Sequence, residues 1–461
     1  MAHLYIAAPQ KSSGKTTLTI GLCRHWRNRG LVVQPFKKGP DFIDPLWLSQ
    51  AADRPCFNLD FHTMSAAEIN AAFAQELSGA DLGLIEGNVG LFDSTELNGA
   101  HSNAELAKQL NAPVVLVINC HGMARGIAPL LLGYRAFDPD LHLAGVILNR
   151  VGGSRHAANL IRVVEHYTDL PVLGVLSRHD DISIDERHLG LMPSNETENA
   201  EIWIDGIRRR VTDQVDLERL LTIAEQAPRP VSMIASTALA ASVNRESPIR
   251  IGIARDAAFG FYYPDDLRAL AVAGAELVPF SPIADAELPT VDALLLGGGF
   301  PEYRMTELEA NYSMRQHIVE FIADGKPVYA ECGGLMYLCD GLTFHGERRA
   351  MVGALKAEVA MRPRPQGRGY VRLRETAAFP WQRDPPHCAE IAAHEFHHSA
   401  IVQPDPAWIY GYEVLRGVGV NGTHDGIVQG NLLACYSHLR SVGGNHWTER
   451  FVAHIRRCCG G

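Results

Sequence analysis

Along the first half of the 461-residue chain, short and mostly apolar runs alternate with stretches of helical length. The runs are Leu4–Ala8, Leu31–Phe36, Leu82–Ile85, Val114–Ile118, Leu143–Leu148 and Val172–Leu176. Between them, Lys15–Arg29, Ala66–Leu77 and Ala104–Leu110 carry helical periodicity. A strand buried on both faces reads as a continuous apolar run, and a helical crossover makes successive strands parallel. The expectation is a doubly wound α/β domain. The pattern lapses near 226–248, a segment rich in Ala, Ser and Thr with Pro228, Pro230 and Pro248. It resumes at Ile249–Ala254, Leu277–Pro279, Ala293–Leu296 and Pro327–Ala330. We therefore read two α/β domains, 1–225 and 249–461, joined by a linker at 226–248. Residues 341–430, richer in strand-like and turn-like pieces, read as an antiparallel extension of the second domain.

Composition narrows the function. With 46% hydrophobic and 20% charged residues, the chain buries enough apolar surface to fold, which excludes disorder as its main state. Its 42 Lys and Arg against 52 Asp and Glu give −10, which argues against a general nucleic-acid or membrane-surface binder. The nine cysteines are odd in number and scattered, as suits reduced thiols in a cytoplasm. Met1–Ile6 lacks the features of a signal peptide, and no apolar run reaches the roughly 18 residues of a membrane span. The expectation is a cytoplasmic protein with neither a membrane nor a nucleic-acid partner.

Chemistry enters first at Ala8-Pro9-Gln10-Lys11-Ser12-Ser13-Gly14-Lys15-Thr16-Thr17, between the first strand and the first helix. Backbone N–H groups at such a junction face an anion, a lysine reaches terminal phosphate oxygens, and a hydroxyl ligates Mg²⁺. Pro9 stands where the strict P-loop pattern has glycine. The reading is ATP held by Ser13, Gly14, Lys15, Thr16 and Thr17. Lys37-Lys38-Gly39-Pro40-Asp41-Phe42-Ile43-Asp44-Pro45 and Glu86–Asp93 follow later strands. Ligands of open parallel sheets bind beyond the carboxyl ends of the strands, so both segments should converge on the phosphates. Thr16, Asp41 and Glu86 are the expected Mg²⁺ ligands. Lys37 and Lys38 face either an anionic substrate or solvent. Arg150, Arg155, Arg178 and Arg187 lie near presumed strand ends, where they either hold a polycarboxylate or line a solvated surface.

The second domain carries Val328-Tyr329-Ala330-Glu331-Cys332-Gly333-Gly334-Leu335, a strand running into a sharp turn and a helix. That elbow would expose Cys332 at a helix N-terminus, where the dipole favours a thiolate. Upstream, the Gly297-Gly298-Gly299 strand end is suited to donate N–H groups to an oxyanion, with the amide of Gly333 as a second donor. Ala434-Cys435-Tyr436-Ser437-His438 supplies a histidine base, His438. His394-Glu395-Phe396-His397-His398 fits the H-E-x-x-H zinc pattern, but its flanks read as strand. A zinc site needs a helix with both histidines on one face. The segment is expected to be structural or to line a path between the two sites.

The chain resembles the cobyrinic acid a,c-diamide synthase family over nearly its whole length. The resemblance rests on Lys37–Pro45, Glu86–Asp93, Arg187–Leu191, Arg255–Phe259, Leu296–Glu302, Glu331–Leu335, His394–Ser399 and Tyr436–His438. It implies a dethiobiotin-synthetase-like ATP domain fused to a class I, triad-type glutamine amidotransferase domain. It also implies amidation of a tetrapyrrole polycarboxylate with ATP and glutamine as co-substrates, Cys332 as nucleophile, and His438 raising its nucleophilicity. A homodimer is compatible with it. Two departures stand out: Arg440 occupies the place where triad glutaminases commonly carry Glu, and Asp266 occupies that of an expected Asn. Arginine accepts no hydrogen bond, so another carboxylate would serve as third triad member. Three other readings remain open. They are the same chemistry on hydrogenobyrinic acid or nickel sirohydrochlorin, a cobyric acid synthase, and a regulatory P-loop ATPase with a partner-binding second domain.

Overall fold

The computed structural model describes residues 1–178, 186–187, 190–229, 248–381 and 390–460. The chain divides between Ser236 and Thr237 into two compact units. The expected linker lies, from 230 to 247, outside the described residues, as does His188.

The first unit begins with β1 (Ala2–Ala7), α1 (Lys15–Asn28), β2 (Val33–Lys38), α2 (Ile43–Ala52), β3 (Phe57–Leu59), α3 (Ala66–Leu77) and β4 (Leu82–Glu86). It continues with α4 (Asn103–Gln109), β5 (Val114–Asn119), α5 (Ile127–Phe137), β6 (Leu143–Val151), α6 (Ser154–Tyr167) and β7 (Val172–Ser177). A two-stranded piece, β8 (Glu186–Arg187) with β9 (Gly190–Leu191), precedes α7 (Ala200–Gln214) and α8 (Leu217–Glu225). The seven-stranded sheet runs β3-β2-β4-β1-β5-β6-β7 and is parallel throughout. From β1 the chain builds outward to β3 and returns through β4, then continues on the other side with β5. The carboxyl ends of β1, β2 and β4 therefore lie side by side, and every residue of β2 and β4 is buried.

Helix starts follow local chemistry. α3 opens with a capping box: Glu68 N–H donates to Ser65 Oγ at 3.3 Å, and Ser65 N–H donates to Glu68 Oε2 at 2.8 Å. α2 and β3 escape the sequence reading. Pro45 obscures α2, yet it sits in the first helical turn, where a missing N–H costs nothing. β3 is three residues long, too short for any periodicity to show.

The second unit opens with β10 (Ile249–Ala254), α9 (Pro264–Val272), β11 (Ala275–Phe280), β12 (Ala293–Leu296), α10 (Met305–Ala310), α11 (Tyr312–Ala323), β13 (Val328–Glu331) and α12 (Gly333–Leu338). There follow β14 (Cys339–Phe344), β15 (Glu347–Ala350), β16 (Leu355–Met361), β17 (Gly367–Glu375), β18 (Glu390–His397) and β19 (Ser399–Val402). The unit ends with β20 (Ile409–Arg416), β21 (His424–Gln429), β22 (Leu432–Cys435) and α13 (Trp447–Cys459). Its main sheet runs β11-β10-β12-β13-β22-β21-β20-β17-β18. The first five strands are parallel, and the last four continue the sheet in antiparallel fashion. A second sheet, β15-β14-β16-β19, lies alongside. The expected antiparallel extension is thus present.

The main sheet of this unit carries a core on each side. One gathers Phe259, Leu296, Met314, Ile318 and Leu335; the other gathers Ile251, Tyr329, Trp381, Trp447 and Phe451. β13 and β22 contribute to both, which fixes their carboxyl ends against rigid packing. Among the described residues, no helix is long and apolar enough to cross a membrane, and the eight described cysteines form no disulfide.

Candidate active sites

In the first unit, β1 leads into a loop whose backbone turns left-handed at Ser12 (φ 56°) and Gly14 (φ 92°). Gly14 precedes α1 with no side chain capping the helix, which leaves its first N–H groups for an anion. Space as well as φ excludes a side chain here: a Cβ on Gly14 would fall 2.2 Å from Asn149 Nδ2. Asn149, at the end of β6, donates to the Ser13 carbonyl at 2.8 Å, and Ser13 Oγ donates to the Gln10 carbonyl at 2.9 Å. Lys15 Nζ donates to the Val89 carbonyl at 3.0 Å, so the lysine reaches the segment that follows β4. Burial, reinforced by the charge of Lys37, lowers the Lys15 ammonium to about 8. Thr16 and Thr17, half-buried, start the first turn of α1.

Beside this cradle lies an acidic cluster. Thr16 Oγ1 donates to Glu86 Oε1 at 2.7 Å and lies 3.3 Å from Asp44 Oδ2. The Lys37 ammonium sits among the carboxylates, bonded to Asp44, 2.8 Å from Glu86 Oε1 and 3.7 Å from Asp41 Oδ2. Burial opposes its charge, but Asp44, Glu86 and Asp41 outweigh that cost and hold Lys37 well above its ordinary range. Burial, with Asp44 adjoining, pushes Asp41 up to about 7. Asp41 Oδ1 also accepts the Ile43 and Asp44 N–H groups at the start of α2. Thr16, Asp41 and Glu86 are thus brought together, and Asp44 joins them unforeseen. Glu86 Oε2 is buried without a hydrogen-bond partner. A hydroxyl, several carboxylates and a free oxygen beside a phosphate cradle suit a hard dication such as Mg²⁺.

Neither Lys37 nor Lys38 faces open solvent; they are 2% and 4% exposed. Arg150, Arg155 and Arg178 are exposed near the ends of β6 and β7, and Arg178 approaches His121 Nε2 at 3.3 Å. The Arg187 side chain lies outside the described residues.

In the second unit, β13 ends at Glu331 and α12 starts at Gly333, with Cys332 between them at φ 49° and ψ −100°. A non-glycine residue held there is strained, and the sharp turn aims its side chain away from the strand. The Cys332 N–H is spent on the Cys435 carbonyl at 2.7 Å, across the β13–β22 pair. Glycines let neighbouring backbone close in: a Cβ on Gly334 would lie 2.2 Å from the Leu296 carbonyl oxygen. One on Gly333 would lie 3.0 Å from both N and O of Gly299, so these two backbones face each other. Gly299 itself (φ 157°) has no room for a Cβ, which would sit 2.0 Å from the Ala258 oxygen. Gly298 abuts His438, its would-be Cβ 2.6 Å from the ring Cε1. The sequence-derived set Cys332, His438, Gly298, Gly299 and Gly333 therefore forms one cluster.

His438 is 3% exposed. Its Nδ1 lies 3.2 Å from Glu331 Oε2. Burial opposes a charge on the imidazole, but hydrogen bonds to Cys332 and Glu331 prevail and raise it to about 10. Its backbone is pinned from two directions. The His438 N–H donates to the His394 carbonyl at 2.8 Å, and the two imidazoles stack with centroids 4.9 Å apart. Asp425, fully buried on β21, accepts the Tyr436 and Ser437 N–H groups at 3.0 and 2.9 Å. The sequence gives no sign of Asp425 or of the His394 contact, because both depend on strand pairing. β18 is a strand as expected, and Glu395 accepts the Val418 and Gly419 N–H groups at 2.7 and 2.8 Å. Among the described residues, no three His, Cys, Asp or Glu side chains are arranged to hold a metal by themselves, so at the first unit's cradle a dication would also need the Thr16 hydroxyl and phosphate oxygens.

Arg440 is buried, ion-paired with Asp265 and placed over the Tyr263 ring at 4.6 Å. Asp266 accepts the Ser441 N–H at 2.7 Å and Trp447 Nε1–H at 3.2 Å. Burial and Asp265 push its carboxyl well above the usual range.

Comparison with known proteins follows the same division. Residues 4–191 match the CobQ/CobB/MinD/ParA nucleotide binding domain, and residues 250–445 the CobB/CobQ-like glutamine amidotransferase domain. The cobyrinate a,c-diamide synthase of Magnetococcus marinus is 44% identical over 457 residues, 99% of this chain and 97% of that protein. The chain belongs to the cobyrinate a,c-diamide synthase family. Relatives of the same name in Syntrophotalea carbinolica and Archaeoglobus fulgidus are 43% and 40% identical. Each match covers 98% of this chain, with 98% and 96% of the respective relative. As a member of this family, the chain is a carbon–nitrogen ligase with a nucleotide-binding domain that uses ATP. Its function is glutamine-dependent amidation in cobalamin biosynthesis. The regulatory-ATPase reading falls with that result.

Proposed function

We propose that this ligase, in the cytoplasm, converts the a and c side-chain carboxylates of cobyrinic acid to amides, using the two sites for separate half-reactions. The observation that carries the proposal is the Cys332–His438 pair on a strained strand end, in a chain whose other unit holds a phosphate cradle. Cys332 Sγ attacks the glutamine carboxamide carbon, and the amides of Gly299 and Gly333, with the Gly298 strand end, receive the oxyanion. His438 takes the thiol proton as Cys332 attacks and gives it to the departing nitrogen, and ammonia leaves. Water then attacks the thioester, releasing glutamate and the thiol. In the other half-reaction, a substrate carboxylate oxygen attacks the γ-phosphorus of ATP and ADP departs. Ammonia adds to the acyl phosphate, loses a proton, and expels inorganic phosphate.

Gly14, Lys15, Thr16 and Thr17, with the Ser13 backbone, position the nucleotide; Thr16, Glu86, Asp41 and Asp44 would hold Mg²⁺. The metal supplies charge neutralisation at the phosphates. Catalysis in this half is positioning, which suits a site built from backbone N–H groups and one lysine.

The test is product mass after incubation with ATP, Mg²⁺ and glutamine, using cobyrinic acid, hydrogenobyrinic acid and nickel sirohydrochlorin separately. Two hydroxyl-to-amino exchanges on cobyrinic acid are expected. Exchange on another macrocycle alone, or amidation at more than two positions, would replace this substrate assignment.

A further inference from the structure

We infer that Glu331, the residue immediately before the nucleophile, is the carboxylate that positions His438 and completes the glutaminase triad. The inference rests on the reading of Cys332 and His438 as nucleophile and base. Triad glutaminases commonly place this carboxylate two residues after the histidine, and Arg440 there is engaged with Asp265.

The topology explains the substitution. β13 and β22 are parallel neighbours in a register that sets Glu331 opposite Cys435. The residue ending β13 therefore lies beside the turn that carries His438, three residues beyond β22. Alternation along β13 puts Tyr329 and Glu331 on one face, while the left-handed turn at 332 swings the thiol away from it. One strand end thus presents both the nucleophile and the carboxylate.

Glu331 is itself held. Its Oε1 accepts the Tyr329 hydroxyl and, at 3.0 Å, the Leu439 N–H, while Oε2 faces His438 Nδ1 at 3.2 Å. It therefore bonds the imidazole and the backbone of the next residue together. A carboxylate at Nδ1 keeps the hydrogen on that nitrogen, turns Nε2 to the thiol and stabilises the imidazolium. The ring of His394 stacks on His438, and the Tyr263 hydroxyl lies 3.3 Å from His394 Nδ1.

The deciding variant is Glu331→Gln, which keeps shape and the ability to accept from Tyr329 and Leu439. Its amide would donate to Nδ1 and force the hydrogen onto Nε2, the wrong tautomer for accepting a thiol proton. Glutamine hydrolysis is expected to lose about 10²–10⁴-fold in kcat with little change in KM. Alkylation of the Cys332 peptide by iodoacetamide, followed by mass spectrometry, is expected to shift its pH profile to higher pH. Ammonia-driven amidation reports that the chain is folded. Unaltered hydrolysis and alkylation in Glu331→Gln would overturn the inference. So would joint loss of hydrolysis and ammonia-driven amidation with a lowered Tm, which would make Glu331 a structural residue. If Cys332→Ala still hydrolyses glutamine, the underlying glutaminase assignment fails instead.

Discussion

The two units solve one problem at the same topological place. Each leads a buried parallel strand into a tight left-handed turn and then a helix, at the carboxyl edge of its sheet. Ser12 is left-handed in the first loop as well, but the residue that leads directly into the first helix is Gly14, at ease with φ 92°; in the second unit it is Cys332, a side chain forced to φ 49°. The difference follows from what each turn does. A phosphate is held by backbone N–H groups, so the turn needs no side chain at its sharpest point. The covalent nucleophile proposed at Cys332 is a side chain, and on that reading the strain is the cost of presenting it. The surroundings differ likewise: carboxylates gather around Lys37 in the first site, whereas the second pairs a single carboxylate with an imidazole beside the thiol.

The largest effect that separates the two sites is expected from Cys332→Ala. Glutamine-driven amidation should fall on the order of 10⁶-fold while ammonia-driven amidation continues, read as product mass with each nitrogen donor. Failure of ammonium to rescue would break the division of labour. Lys15→Met should do the converse, lowering amidation with either donor by roughly 10³-fold while glutamine hydrolysis, assayed as glutamate release, persists. Gly298→Ala sharpens the second site alone. A methyl 2.6 Å from His438 Cε1 must displace the ring, and hydrolysis should drop about 100-fold.

Smaller effects concern how each site is supported. Asp265→Ala leaves the Arg440 guanidinium buried without that carboxylate, and denaturant unfolding should show a loss of about 3 kcal/mol. Last is a pH dependence. His438 is raised from 6.5 to about 10, so the stability it brings is complete below 6.5 and is lost as pH climbs through about 10. The thermal midpoint should decline over that interval, by roughly 2–4 °C for each kcal/mol lost. Cys332→Ala, which removes one cause of the shift, should flatten the decline.

Most strands were legible because parallel strands buried on both faces advertise themselves as apolar runs. Ile249–Ala254 and Ala293–Leu296 match to the residue, and Ala66–Leu77 matches its helix. The two glycine-bearing turns were legible because their chemistry is local. What stayed hidden is non-local. Glu331 reads as one more residue of a strand until the β13–β22 register sets it beside His438. Asp44 is masked by Pro45, which disguises the first turn of α2. The buried state of Lys37 and Lys38 depends on carboxylates and amides from β4 and the segment that follows it, and charged residues carry no hydrophobic periodicity to announce it.

The backbone at 332 has an evolutionary consequence. Of the twenty amino acids, glycine alone would occupy that conformation without penalty, and glycine has no thiol. A search that rewarded stability alone would therefore drift toward Cys332→Gly and arrive at a sturdier protein unable to open glutamine. On the role proposed for Cys332, the strained turn is stability given up for turnover.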